Sequence, residues 1–203
     1  MSGYDAFQLL SLIVFLVLFL GRTFVLARQG VSVFVLGAGK RGFQRGVELL
    51  FFVGLVAWII EVAVSALPGD MRLFPAPLDT VVLDSAVARL VGSVLILIGF
   101  VFFVLALQAF GRSWRVGIDT QTPGALVTAG IFSVSRNPIF VFIDLYFAGA
   151  FLITGTLILL LFAVGVIVGI HYQVLQEERF LGVHYGAVYT SYRARVGRYV
   201  TLR

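Results

Sequence analysis

Long runs of apolar residues, separated by short polar segments, dominate the chain. A helix needs about 20 apolar residues to cross the hydrocarbon core of a bilayer, and residues 6–27, 47–67 and 86–110 each form such a run. Residues 138–176 form a run that is too long for one helix, and Thr154-Gly155-Thr156 divides it into a predicted helical hairpin. The pattern therefore predicts an all-α membrane protein with about five transmembrane helices, of which the fourth and fifth form the hairpin.

The composition excludes a soluble protein. Hydrophobic residues make up 60% of the 203 positions and charged residues only 12%, whereas soluble domains have about 45–50% and about 25%. A soluble domain of this size needs far more charge on its surface. The chain contains no cysteine, which excludes disulfide bonds, thiolate metal ligands and a catalytic thiol. We expect residues 1–203 to form a single membrane domain that binds no metal.

The basic residues predict the orientation in the membrane. They concentrate after the first span, after the third span and in the C-terminal tail, at Arg28, Lys40, Arg41, Arg45, Arg112, Arg115, Arg136, Arg179, Arg193, Arg195, Arg198 and Arg203. Cytoplasmic loops of membrane proteins carry an excess of Lys and Arg. The pattern therefore predicts an outside N-terminus and a cytoplasmic tail. The net charge of +5 fits this interpretation, and because no nucleic-acid motif is present, we expect no nucleic-acid partner.

The loop of residues 111–138 is the first candidate site. It is long for a connection in a compact protein, and long loops that are rich in apolar residues are typically functional. Gly117, Gly124 and Gly130 would allow tight turns or a close approach of the backbone to a ligand. The alternative is an interfacial loop that Trp114 anchors at the membrane surface.

Asn137 and Pro138, at the start of span four, form the second candidate. Asn is a preferred N-cap and Pro a preferred first helical residue, so the pair could serve only to start the helix, and the spacing alone favours this interpretation. Alternatively, the free backbone amides of that first turn, together with Arg136, could bind polar groups of a ligand.

Polar residues at the end of span five form the third candidate. They are His171, Gln173, Glu177 and Glu178. Ionisable residues at membrane depth are costly and usually functional when they face the bundle, whereas acids that leave the bilayer carry no such cost. Asp144 in span four and Glu61 in span two lie deeper, and we expect each to face the bundle with a polar partner. Tyr185, Tyr189 and Tyr192 in the tail, with their neighbouring arginines, predict an amphipathic interfacial helix.

Several short motifs together resemble a known family of membrane enzymes. The chain resembles the integral-membrane methyltransferases typified by isoprenylcysteine carboxyl methyltransferase, with phospholipid N-methyltransferases as relatives, over about residues 111–200. The motifs are Leu-Val-Thr-Ala-Gly-Ile-Phe at 126–132, Arg-Asn-Pro-Ile-Phe at 136–140, Glu-Glu-Arg-Phe-Leu at 177–181, and then Tyr185-Gly186, Tyr189, Tyr192 and Val196.

The resemblance implies a cytoplasm-facing site for S-adenosyl-L-methionine. The family's cofactor contacts correspond to Gly124, Ala125, Leu126, Val127, Phe132, Asn137, Pro138, Ile139, Phe140 and Glu177. A carboxylate can bind the ammonium or ribose hydroxyls of the cofactor, and aromatic side chains can flank the adenine and the sulfonium. The implied acceptor is a lipid-like or prenylated molecule that offers a carboxylate or an amine and enters from the surrounding membrane lipids, with Arg136, His171 and Gln173 as candidate contacts.

The chain departs from the family pattern at three positions. Asn137 stands where the family usually has His, and Phe140 where it has Tyr. Gln173 replaces an Arg that meets the substrate in the prenylcysteine enzymes, so the resemblance extends to the reaction but not to a prenylcysteine carboxylate. Two rival interpretations remain. A sterol-type reductase would use NADPH and usually has an Arg-Asp pattern before the tail, and a non-enzymatic membrane protein would need none of these residues.

Overall fold

The computed structural model describes residues 2–30, 43–68, 71–111 and 125–201. This part of the chain is almost entirely helical and contains no β-strand, only an isolated bridge between Val81 and Thr156. The α-helices are α1 (Gly3–Arg28), α2 (Phe43–Ala66), α3 (Ala86–Phe110), α4 (Pro138–Thr154), α5 (Leu157–Tyr185) and α6 (Ala187–Arg195). The predicted all-α membrane architecture is confirmed.

Four of the five predicted spans are long and apolar enough to cross a bilayer. They are α1, residues 49–66 of α2, α3 and α5. Helix α4 has 17 residues, which corresponds to roughly 25 Å at 1.5 Å per residue and is at the lower limit for a span. It pairs with α5 through the predicted break, where Gly155 ends α4 with a φ of 75°.

The segment that precedes α3 packs against the turn between α4 and α5. The backbone N–H of Val82 donates to the carbonyl oxygen of Gly155 at 2.8 Å, and that of Leu157 donates to Thr80 at 2.9 Å. A side chain at position 155 would collide with the carbonyl oxygen of Leu83. Glycine at 155 therefore satisfies both the positive φ and the close approach of this segment.

Helices α3 and α4 pack backbone against backbone at a pair of facing glycines. Gly92 of α3 faces Gly149 of α4, and a Cβ atom added at either position would lie 2.6 Å from the carbonyl oxygen of the other. Small residues allow membrane helices to pack backbone against backbone, where dispersion replaces the hydrophobic effect as the driving force. This contact makes α3 and α4 the central pair of the fold.

Aromatic rings join α1 and α2 to this central pair. Phe15 of α1 lies 5.6 Å from Phe142 and 5.9 Å from Tyr146, centroid to centroid. Trp58 of α2 stacks on Phe147 at 4.1 Å. Aromatic pairs at such distances add to the energy of burial, and the N-terminal helices are therefore packed on the same core as the C-terminal half.

Each of the two acids within the spans has one carboxylate oxygen without a hydrogen-bond partner in the described residues, although the backbone of Leu73 donates a hydrogen bond to the carboxylate of Glu61. Glu61 is 2% exposed, and its Oε2 atom has no hydrogen-bond partner within the described ranges. Asp144 is half-buried, and its Oδ1 atom likewise has no hydrogen-bond partner within the described ranges. Polar groups that are unsatisfied at membrane depth are costly, which marks both residues as candidates for function.

The glycine contact between α3 and α4 generates a stability prediction. We expect Gly92→Ala to lower the free energy of unfolding by about 1–3 kcal/mol, because the added methyl group forces the two helices apart. Gly165→Ala on α5 is the matched control, since a methyl group added there would meet no heavy atom within 4 Å. Thermal unfolding in one detergent measures both variants, and equal midpoints would contradict the packing described here.

Candidate functional site

The carboxylate of Glu178 binds two arginines at the end of the bundle where α4 begins. Its Oε1 atom lies 3.1 Å from Nη1 of Arg136, and its Oε2 atom lies 3.0 Å from Nη2 of Arg198. Nδ2 of Asn137 donates to Oε1 at 3.4 Å. The side chains of Glu178 and Arg136 are only 6% and 8% exposed. A buried ion pair of this kind cannot lose one partner without a large cost, because the remaining charge stays desolvated.

The C-terminal tail folds back along the segment that leads into α4. The backbone N–H of Arg136 donates to the carbonyl oxygen of Gly197 at 3.1 Å, and that of Thr201 donates to Val134 at 2.8 Å. These two bonds bring Arg198 to Glu178. Hydrogen bonding to Glu178 raises the pKa of Arg198 above its usual value, so the guanidinium stays charged.

Helix α6 covers the same segment with two buried tyrosines. The Tyr192 hydroxyl donates to the carbonyl oxygen of Phe132 at 2.7 Å, and the Tyr189 hydroxyl accepts from Nη1 of Arg136 at 3.2 Å. Burial raises the pKa of Tyr192 to about 12, so this phenol stays neutral. The predicted helix is present, and these two tyrosines pack on the chain itself, together with Leu126 and Val196. Its position at a membrane interface stays a prediction.

Helix α4 begins without a side-chain cap. Asn137 occupies the N-cap position and Pro138 the first helical position, as the sequence predicts, yet Asn137 makes no capping hydrogen bond. Its Nδ2 donates instead to Glu178 and, at 3.1 Å, to the carbonyl oxygen of Arg198. The first backbone N–H groups of a helix have no partner within the helix. In the described part of the chain, the amides of Ile139 and Phe140 therefore have no capping side chain.

An open cleft of about 470 Å³ lies between α4, α5 and the tail. Its lining comprises Asp144, Ile167, Val168, His171 and Tyr199. Nδ1 of His171 and the Tyr199 hydroxyl are hydrogen-bonded at 2.6 Å. Burial first, and the negative charge of Asp144 second, raise the pKa of Tyr199. The cleft thus combines apolar walls with one carboxylate and a hydrogen-bonded phenol–imidazole pair.

The residues predicted from the sequence fall into three groups. Arg136 and Asn137 are buried around Glu178, and Phe132 is buried beneath α6. His171 lies in the cleft. Among the others, Pro138 is buried, Ala125 is exposed, and Gly124 lies outside the described residues. The remaining six are half-buried: Leu126, Val127, Ile139, Phe140, Gln173 and Glu177.

Arg198 and Tyr199 were not among the site residues predicted from the sequence, and Glu178 was a candidate only as one of two adjacent acids. Glu178 looks equivalent to Glu177 in the sequence, and only the structure shows that it is Glu178 that binds the two arginines. Arg198 and Tyr199 reach the bundle because the tail folds back, and no local pattern signals that return. Within the described ranges, no three His, Cys, Asp or Glu side chains are grouped closely enough to hold a metal ion.

Removal of the Glu178 carboxylate tests the buried ion cluster. We expect Glu178→Ala to lower the free energy of unfolding by about 3–5 kcal/mol, because it leaves Arg136 buried and unpaired. Asp84→Ala is the matched control, since Asp84 pairs with Arg89 at an exposed position, where an ion pair contributes less than about 1 kcal/mol. Denaturation in detergent measures both. Equal losses in the two variants would contradict a buried cluster.

A comparison with families of known proteins matches residues 87–188, half of the 203-residue chain, to the family described as Phospholipid methyltransferase. A comparison with curated proteins finds no match. The matched region runs from the start of α3 through α4 and α5 into α6 and contains Arg136, Asn137, Asp144 and Glu178. Together with its apolar helices, this match identifies an integral membrane protein that belongs to the phospholipid methyltransferase family.

Proposed function

We propose that the chain transfers a methyl group from S-adenosyl-L-methionine to a lipid-like or prenylated acceptor at the cytoplasmic face of a membrane. Membership of the family supports the reaction class. The observation that carries the choice of cofactor is the uncapped start of α4, where Asn137 binds Glu178 and makes no hydrogen bond to the amides of the first turn.

The residues around this turn fit S-adenosyl-L-methionine. The amides of Ile139 and Phe140, which no side chain caps in the described residues, suit the carboxylate of its amino-acid moiety, because a helix N-terminus favours anions. The Glu177 carboxylate suits the ammonium group or the ribose hydroxyls. The rings of Phe132 and Phe140 suit the adenine and the sulfonium, since aromatic faces attract cations. Ala125, Leu126 and Val127, just before this segment, complete the proposed contacts together with Gly124.

Bound S-adenosyl-L-methionine supplies an electrophilic methyl group on a sulfonium. The chain therefore has to align the acceptor and exclude water, and alignment alone can contribute about 7–11 kcal/mol to a barrier. The tail and α6 suit this task, because they cover the segment before α4 through the bonds of Arg136 to Gly197 and of Tyr192 to Phe132. Neither task requires a catalytic dyad.

The exposed arginines support a cytoplasmic position for this site. Arg179, Arg193 and Arg195 are exposed and lie beside the Glu178 cluster, on the end of α5 and on α6. Excess Lys and Arg mark the cytoplasmic side of membrane proteins. We propose that the C-terminus lies in the cytoplasm and the N-terminus outside. The packing of Phe15 and Trp58 on α4 supports one domain over residues 1–203.

Ligand-induced stabilisation tests the cofactor. A ligand that binds only the folded state raises the apparent midpoint by mass action. We expect S-adenosyl-L-methionine and S-adenosylhomocysteine to stabilise the purified protein in detergent and NADPH to leave it unchanged. Stabilisation by NADPH alone would point to a reductase, and stabilisation by none of the three would point to a non-enzymatic membrane protein.

The Glu177 carboxylate provides the residue-level test. We expect Glu177→Gln to weaken S-adenosylhomocysteine binding by roughly 10- to 100-fold, the range for a lost hydrogen bond to a charged group. Calorimetric titration measures the affinity. Asp84→Asn, which neutralises an exposed acid before α3, is the control and should bind like the wild type. Unchanged affinity in Glu177→Gln would remove Glu177 from the site.

A further inference from the structure

The side chain of Asp144 lines the cleft between α4, α5 and the tail, and one of its two carboxylate oxygens has no hydrogen-bond partner in the described residues. Its Oδ1 atom is buried and has no hydrogen-bond partner in the described part of the chain, and the cleft walls beside it are Ile167 and Val168. An acid that faces inward at membrane depth without a partner is costly to maintain unless it acts on a ligand. The position of the Asp144 carboxylate therefore points to a cationic group of a ligand that binds to it.

The cleft lies at a depth that a lipid can reach. Asp144 is the seventh residue of α4, roughly 9 Å along the helix axis from Pro138 at 1.5 Å per residue. Val168, on the facing part of α5, is 65% exposed on the outside of the bundle, where lipid chains would surround it. An alkyl chain could therefore lie along Val168 while its polar head reaches Asp144.

We propose that this cleft binds the head group of the methyl acceptor and that Asp144 selects a protonated amine over a carboxylate. The proposal deepens the proposed function. It rests on that function for the methyl transfer, but the binding of an amine at Asp144 does not depend on it. Asp144 would be the specificity-determining residue, and His171 with Tyr199 would form the end of the cleft nearest the start of α4.

The charges around the cleft favour a cation. Its five lining residues include one acid and no Arg or Lys. The guanidinium groups of Arg198, next to Tyr199, and of Arg136 are both bound to Glu178. An acceptor carboxylate would meet a like charge with no free guanidinium in this lining, whereas an ammonium would gain the charge-assisted hydrogen bonds that Asp144 lacks.

The chain supplies a place for the proton that the amine must lose. The ammonium gives one proton to the Asp144 carboxylate, and its nitrogen lone pair then forms the bond to the methyl carbon. The carbon–sulfur bond breaks with its electron pair left on sulfur, so that the sulfonium becomes a neutral thioether and the product is an N-methylammonium. His171 is exposed at the mouth of the same cleft, and together with Tyr199 it can pass the proton on to water.

Binding of simple single-chain amphiphiles tests this assignment without the reaction. The probes are hexadecylamine, hexadecanoate and hexadecanol, added in equal amounts to protein in a neutral maltoside detergent, with affinity read from the thermal midpoint. We expect hexadecylamine to stabilise the wild type most. We also expect Asp144→Asn to weaken amine binding by at least about tenfold, as for a lost hydrogen bond to a charged group, and Asp144→Glu to restore part of it. Asp84→Asn is the charge-matched control and should bind the amine like the wild type.

Two further measurements separate this proposal from the cofactor assignment. Asp144→Asn should bind S-adenosylhomocysteine like the wild type. Val168→Trp places a larger side chain in the lining of the cleft and should weaken amine binding, which keeps the proposal testable if Asp144→Asn fails to fold. If the protein binds the amine at Asp144 but does not bind S-adenosylhomocysteine, the proposed function is overturned and the assignment of Asp144 stands. Preferred binding of hexadecanoate, equal binding of all three probes, or amine binding that neither variant changes would overturn the assignment of Asp144.

Discussion

The pairing of one buried carboxylate with two guanidinium groups fixes the end of the bundle at which α4 begins. Glu178 on α5 binds Arg136 before α4 and Arg198 in the tail, and a charge as buried as that of Arg136 is stable only with its partner in place. The same carboxylate draws the side chain of Asn137 away from the cap of α4. A structural contact therefore leaves the start of α4 without a side-chain cap, and this is where we propose that the cofactor binds.

The polar groups of the bundle lie at two depths that suit two kinds of substrate. The first-turn amides of α4 and the half-buried Glu177 lie at the end of the bundle near the exposed arginines, where we propose that a water-soluble cofactor binds. Asp144 lies roughly two turns deeper, beside apolar walls that a lipid chain can reach. His171 and Tyr199 line the end of this cleft nearest the start of α4. In the proposed reaction the cofactor therefore arrives from the cytosol and the acceptor from the bilayer.

The sequence was sufficient for those parts of the fold that depend on local patterns. Apolar runs predicted the helices, and the glycine at 155 predicted the hairpin. Both features depend on residues close together in the sequence: a bilayer-length helix needs a continuous apolar run, and a positive φ favours glycine. The return of the tail could not be predicted, since it depends on backbone bonds between residues distant in the chain, such as Arg136 and Gly197. For the same reason Glu177 and Glu178 could not be told apart, and Asn137 matched a capping pattern that the ion cluster overrides.

Hydrogen–deuterium exchange with and without S-adenosylhomocysteine is the most direct test of the proposed cofactor site, because it reports where the ligand binds. Protection should concentrate in peptides that cover residues 125–140 and the region of Glu177, and exchange in α1 and α2 should stay unchanged. The slowing should be largest at the amides of Ile139 and Phe140, which the structure leaves uncapped. Protection confined to other helices, or none at a saturating concentration, would contradict a cofactor site at the start of α4.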